Sequence, residues 1–254
     1  AGLMTAGLLA KTALFPLHIW LPPAHAGAPA AASAVLSALV VKGSWFLVVR
    51  LWFDVMPGVV TLSAAQLLAG MGAAAIVFGS IVAVRQERLK LLVAYSTLAQ
   101  IGYLFLMFPL AFDAASGALV HGGALTGGLL QAISHATAKA GMFMAAGLVY
   151  AALGHDRIAD LGGVARAMPV TVLTFAVAGL ALMGVVPSGA YLAKKLLLYA
   201  ATLGPDVRKG VSPEAAPLVL AAEGEVPQDA ASPCAYPIRY ALSGAAWMGP
   251  SIGF

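Results

Sequence analysis

Five of the chain's seven lysines, Lys11, Lys42, Lys139, Lys194 and Lys195, lie within or at the edge of long apolar runs. If those runs cross a bilayer, an amine near the centre costs about 2.5 to 3.5 kcal/mol. Four of them would cost on the order of 10 kcal/mol together, comparable with the net stability of a whole domain. Something has to compensate, and the chemistry an amine offers there is proton transfer. Withdrawn from water and set beside another cation, it gives up its proton more readily than in bulk solvent, and can release and regain it near neutral pH.

The positions differ in how strongly they suggest this. Lys42 stands well inside a run whose end is marked by Arg50, so reaching an interface by snorkelling would be a long stretch. His135 and Lys139 are spaced i,i+4 and share one helix face. Alone, His135 reads as a core histidine bonded to a carbonyl, but two bases on one face are poor packing material and suit a relay. Lys194 and Lys195 follow a Pro-Ser-Gly break at 187–189, and Lys194 is taken as the functional one, leaving Lys195 to reach an interface. Lys11 resembles an ordinary helix-end lysine except that Pro16 follows it closely. The expected relay is therefore Lys11, Lys42, His135, Lys139 and Lys194. His121 is a weaker candidate, and His18, His25 and His155 read as surface or hinge residues.

The elements that must position these groups are membrane helices. The 254 residues are 61% hydrophobic and 9% charged, with a mean hydropathy of +0.92, whereas soluble domains carry about 25% charged residues. A soluble fold is excluded, and length is better read as roughly six crossings of about 20 residues each. Uncharged runs cover 12–41, 55–84, 91–112, 114–154 (interrupted by Lys139) and 167–193. Pro16, Pro22, Pro23 and Pro29 split the first into a broken helix ending near Trp20, a loop over 22–29 and a second helix over 30–51. Breaks at Pro16 and Pro187 free backbone groups, which is tolerated at membrane depth where they line protein or a wet cavity. Each break lies close to a lysine, the usual construction of an ion site in transporters. From about Gly204 the composition turns to Pro, Glu, Asp, Ser and Ala, which predicts an irregular or disordered tail over 204–254 behind a transmembrane domain over 1–203.

Arg85, Arg88 and Lys90 form one short basic loop and Arg157 and Arg166 another. Counting crossings puts both on one side, expected to be cytoplasmic, with Asp54 and Asp113 opposite; Arg50, Arg208 and Lys209 run against that assignment. The cations are too scattered for a nucleic-acid surface. One cysteine, Cys234, makes no disulfide framework or cluster within the chain, and no dinucleotide, P-loop, zinc or nucleophile-elbow motif occurs. No cofactor is expected in this chain. It opens inside an apolar stretch without a basic n-region or cleavage site, so the opening is not a signal peptide and the parent protein is expected to extend upstream.

The stretch KTALFPLHIWLP from Lys11, followed by Ala24-His25 and Ala28-Pro29, resembles the signature of the antiporter-like membrane subunits of respiratory complex I, multisubunit sodium/proton antiporters and membrane-bound hydrogenases. Further matches follow in order: VVKGSWFLVVRLW around Lys42, RQERLKLLVAYSTLAQIGY from Arg85, SHATAKAGMFMAAG from Ser134, Leu161-Gly162-Gly163, Met168-Pro169 and the break at Pro187. The resemblance spans 1–203. It implies an all-α polytopic bundle with two discontinuous helices, part of an inverted-repeat parent of fourteen helices, of which this chain holds roughly the seventh to the twelfth. It also implies that the family's lysines and histidine match Lys11, Lys42, His135, Lys139 and Lys194. Pro23 departs from the acidic residue usual there, and the glutamate that pairs with the first lysine belongs to an earlier helix. The function implied is a proton-translocating subunit of a redox-driven complex in the inner membrane, with other membrane subunits and lipid as partners, H+ or Na+ as the only substrate, and no NADH, flavin or iron–sulfur group of its own. Subunits of sodium/proton antiporters of the multisubunit type, and of membrane-bound hydrogenases, share the same motifs. A purely structural or non-functional membrane fragment is the alternative in which the lysines are satisfied by carbonyls or lie at interfaces.

Overall fold

The computed structural model describes residues 2–112 and 122–202; the expected tail, with Cys234, and also Asp113 and His121 lie outside the described residues. Helices dominate, and no strand occurs among the described residues. Four helices are long and apolar enough to cross a membrane: α3 (Ala30–Val55), α4 (Leu62–Val84), α5 (Leu89–Leu110) and α6 (Gly123–Leu153). Before them comes a broken pair, α1 (Gly2–Thr12) and α2 (Leu21–Gly27), and after them a second, α7 (Pro169–Met183) and α8 (Gly189–Thr202). Two discontinuous helices flanking four continuous ones match the architecture expected from the apolar runs.

The expected loop over 22–29 is corrected by α2. Pro22 and Pro23 occupy its first turn, where backbone N–H groups lack intrahelical partners in any case, so proline costs little there. The interruption lies instead over 13–20. Ala13 adopts φ +60° to end α1, and Trp20 Nε1 donates to Ala10 O at 2.8 Å across the gap. The second break is closed by Gly184 at φ +89°, a left-handed helix end that glycine adopts freely. Ser188 Oγ then accepts from Tyr191 N at 3.1 Å and caps α8.

Packing follows the small residues. α4 and α5 form an antiparallel hairpin whose backbones nearly touch: a Cβ on Gly102 would lie 2.7 Å from Ile76 Cγ1 and closer still to Gly72 O. At Gly79 a Cβ would meet Ala99 N at 2.8 Å. Gly127 admits Ala193 of α8, and Gly147 admits Ala30 of α3. Small-residue contacts of this kind are how helices approach closely in lipid. Leu67, Val77 and Ile81 of α4 and Val170, Leu173 and Val177 of α7 are exposed, as suits helices whose outer faces meet hydrocarbon.

The two basic loops are bonded to each other. Ile158 N donates to Glu87 O at 2.8 Å, Leu89 N to Asp156 O at 2.8 Å, and Arg88 Nε to Asp156 Oδ1 at 2.9 Å. They lie on one side of the bundle, as the count of crossings predicted.

Candidate functional site: a buried amine and imidazole cluster

α3, α5 and α6 pack around a polar centre that α2 closes from one end. Lys42 enters from α3 just after a wide π-type turn over Leu36–Val40, and its Nζ turns back to donate to Ser37 O inside that turn. Such insertions recur at functional sites. The hydroxyl of Ser37 lies 3.3 Å from Thr97 Oγ1 of α5, and Thr97 Oγ1 donates to Val93 O at 2.9 Å. Lys139 of α6 arrives at the same carbonyl: its Nζ donates to Val93 O at 3.0 Å and to Ser96 Oγ. Lys42 is 7% exposed and Lys139 not at all, so both amines are held by neutral oxygens inside protein. The ion pairs Arg50–Asp54, Arg88–Asp156 and Arg157–Asp160 sit at helix ends instead.

His135 is fully buried one helical turn before Lys139, as the i,i+4 spacing predicted. His25, read from the sequence as a surface or hinge residue, is equally buried, and this is the main correction at the site. α2 swings it under α6, where its ring stacks on Phe143 with centroids 4.4 Å apart. Among the described residues, none of the ring nitrogens of His25 and His135 has a hydrogen-bond partner. Buried polar atoms are normally satisfied by protein or bound water, so these open ring nitrogens are positions at which a water or a proton can bind.

The remaining expected residues lie apart. Lys194 is half-buried at the second break. Its Nζ donates to Leu182 O at 2.9 Å and Met183 O at 3.3 Å, capping the free C-terminal carbonyls of α7, and sits 4.9 Å over the Tyr103 ring. Lys195 lies over Tyr191 and Tyr199 instead, so the structure distinguishes the two neighbours. Lys11 closes α1 with its side chain exposed on the described chain, and nothing described brings it to the cluster. Lys90, read as a loop charge, is buried. It donates to Ala28 O at 3.3 Å, just past the end of α2, and lies 4.9 Å over the Tyr150 ring, so it anchors the half-helix that carries His25.

Ser37, Ser96 and Thr97 did not stand out in the sequence, and His25 stood out only within the Ala24-His25 part of the stretch that resembles the family signature. Ser96, Gln100 and Tyr103 recur at i, i+4 and i+7 in an apolar helix, a polar stripe that could have marked α5 as a wall of the site. Among the described residues no group of three or more His, Cys, Asp or Glu side chains could hold a metal ion.

Comparison with known proteins places this arrangement. NADH-quinone oxidoreductase subunit N of Desulforudis audaxviator is 38% identical over 196 residues, which are 77% of this chain and 37% of that protein. One chain of a probable K(+)/H(+) antiporter of Rhizobium meliloti is 37% identical over 195 residues, 76% of this chain and 18% of that one. In structure, the membrane-bound sulfane sulfur reductase, an archaeal respiratory membrane complex, contains a chain that superimposes with a TM-score of 0.68 at 28% identity, covering 86% of this chain and 42% of that chain. The chain thus spans less than half the length of these relatives. Residues 1–205 match the family model described as NADH:quinone oxidoreductase/Mrp antiporter, TM. By the order of its broken helices, its buried amines and this match, the chain belongs to the NADH:quinone oxidoreductase/Mrp antiporter transmembrane family.

Proposed function

We propose that this chain is the proton-conducting part of a membrane subunit in a redox-driven complex of the NADH:quinone oxidoreductase type, working in the cell's inner membrane alongside other membrane subunits. The observation that carries the reading is that the buried amines Lys42 and Lys139 share a site with two buried imidazoles, His25 and His135, whose ring nitrogens have no partner among the described residues. Carbonyl bonds to the amines suit a structural role as well; open imidazoles beside them do not. Two amines buried in one water-poor site favour having only one charged at a time, so a charge arriving at one end of the cluster displaces a proton at the other. Hydroxyls and imidazoles supply groups that both donate and accept, and the enclosing helices exclude bulk water. Lys11 and Lys194, each beside a helix break, are the terminal stations in this reading, with His135 between the central amines and Lys194. The basic side formed by the 85–90 and 154–166 loops faces the cytoplasm.

Exchange of K+ or Na+ against H+ is the second reading, favoured by the R. meliloti relative's name. The same cluster would serve it, because the amines handle only the proton. The test is proton uptake by vesicles carrying the assembled complex. Lys42→Ala and Lys139→Ala are each expected to lower the rate at least tenfold, and wild-type rates in both would refute the relay. Uptake that requires added K+ or Na+ in the wild type would move the assignment to the antiporters.

A further inference from the structure

Between Lys139 and Lys194 lies a polar ladder outside the relay described above. On α5, Ser96, Gln100 and Tyr103 follow one another along one face. Each meets a different partner: Ser96 Oγ meets Lys139 Nζ, Gln100 Oε1 accepts from Gln131 Nε2 at 2.8 Å, and the Tyr103 ring lies under Lys194 Nζ. On α6 the facing stripe is Gln131, His135 and Lys139, spaced i, i+4 and i+8 and all fully buried. Gln131 is thus one turn beyond His135, on the side away from Lys139.

Its amide is only half used. Nε2 is committed to Gln100, which fixes the head group, while Oε1 is buried and has no hydrogen-bond partner among the described residues. Both ring nitrogens of His135 are in the same condition. Two adjacent unpaired groups, one a fixed acceptor and one able to donate or accept, make a site that suits water. Eight residues of helix separate Gln131 from Lys139, about 12 Å of rise, too far for direct transfer from that amine.

We infer that Gln131, held by Gln100, is a positioning residue that orients the water carrying protons between His135 and Lys194. With His135 charged and the Lys194 amine neutral, a water donating to Oε1 of Gln131 takes a proton from a His135 ring nitrogen and passes one of its own on toward Lys194, leaving the imidazole neutral and the amine charged. The amide keeps its own protons and no oxidant or metal takes part. Tyr103 marks the far end of the step, beneath the Lys194 amine.

This inference rests on the proposed proton conduction, and the experiment separates the two. Proton uptake is measured in vesicles carrying the assembled complex, over a range of pH, with Lys139→Ala and Lys42→Ala alongside. Gln131→Leu keeps the side chain's size but removes the acceptor, and is expected to slow uptake at least tenfold with the complex present in normal amount. Gln131→Glu restores an acceptor of the same reach and is expected to recover at least half the rate, with a pH dependence that the wild type lacks. If Gln131→Leu does not assemble, Gln100→Leu at the half-buried edge of the pair is read instead, with the same loss expected. Wild-type uptake in the leucine variant, or a loss that Gln131→Glu leaves unrepaired, overturns the inference while a slow Lys139→Ala leaves conduction standing. Wild-type uptake in both Lys139→Ala and Lys42→Ala sinks both.

Discussion

Lys139 and Thr97 share one acceptor: Lys139 Nζ and Thr97 Oγ1 both donate to the carbonyl oxygen of Val93, at 3.0 and 2.9 Å. One backbone atom thereby joins α6 to the hydroxyl that faces Ser37 and, beyond it, Lys42. Thr97→Val keeps the shape and deletes this hydroxyl. It should cost about 1 kcal/mol of stability, the net worth of an ordinary hydrogen bond, and should slow proton uptake about tenfold, since about 1.4 kcal/mol on the barrier is a factor of ten. Thermal unfolding of the assembled complex and vesicle uptake rates check the two parts. Unchanged uptake would remove Thr97 from the path.

His25 combines two roles that substitution can separate. His25→Phe retains a ring to stack on Phe143 but carries no nitrogen, so the complex should assemble in normal amount while uptake falls. His25→Ala loses the stack as well, leaves a cavity under α6, and should lower stability by about 2 to 4 kcal/mol. Equal uptake in His25→Phe and wild type would reduce His25 to a packing residue.

Asp156 is buried and receives Arg88 Nε at 2.9 Å and Lys90 N at 3.3 Å. Asp156→Ala leaves these donors without their acceptor and should destabilise the joined loops by about 2 to 3 kcal/mol. Limited proteolysis at the 85–90 and 154–158 loops should speed up, with uptake per assembled complex little changed. Loop cleavage at the wild-type rate would show that the backbone bonds hold the loops unaided.

Gly102 permits the contact between α4 and α5. Gly102→Ala drives a methyl group into Gly72 O and Ile76 Cγ1, where backbone cannot yield cheaply. A loss of about 1 to 3 kcal/mol is expected from overpacking, read as less assembled complex at normal expression. Normal assembly would mean that the hairpin can open slightly without penalty.

Ala13 ends α1 at φ +60°, a region that costs a residue with a Cβ about 1 kcal/mol or more. Ala13→Gly should therefore raise thermal stability, by about 1 kcal/mol less its larger unfolded-state entropy. A lower melting temperature would show that the methyl group, which is fully buried, contributes more by packing than the backbone loses.

The sequence by itself determined that this is a membrane bundle, where its continuous helices run, and that lysines and a histidine are embedded in it, because hydrocarbon tolerates only long uncharged runs and makes each buried amine conspicuous. It determined too that His135 and Lys139 face one way, since helix periodicity is local. Only the tertiary structure decided which groups meet. Pro22 and Pro23 read as loop and begin a helix, because proline forbids a helix interior and not a first turn. Lys90 and His25 read as exterior and are buried, because solvent access depends on which helices close over a short segment. Lys11 stays at the surface of the described chain, while Lys139 and Thr97 meet at Val93 O and Lys42 turns back to Ser37 O, backbone carbonyls whose identity leaves no trace in side-chain pattern. Long-range contacts between separate helices carry that information, and no spacing along one helix encodes it.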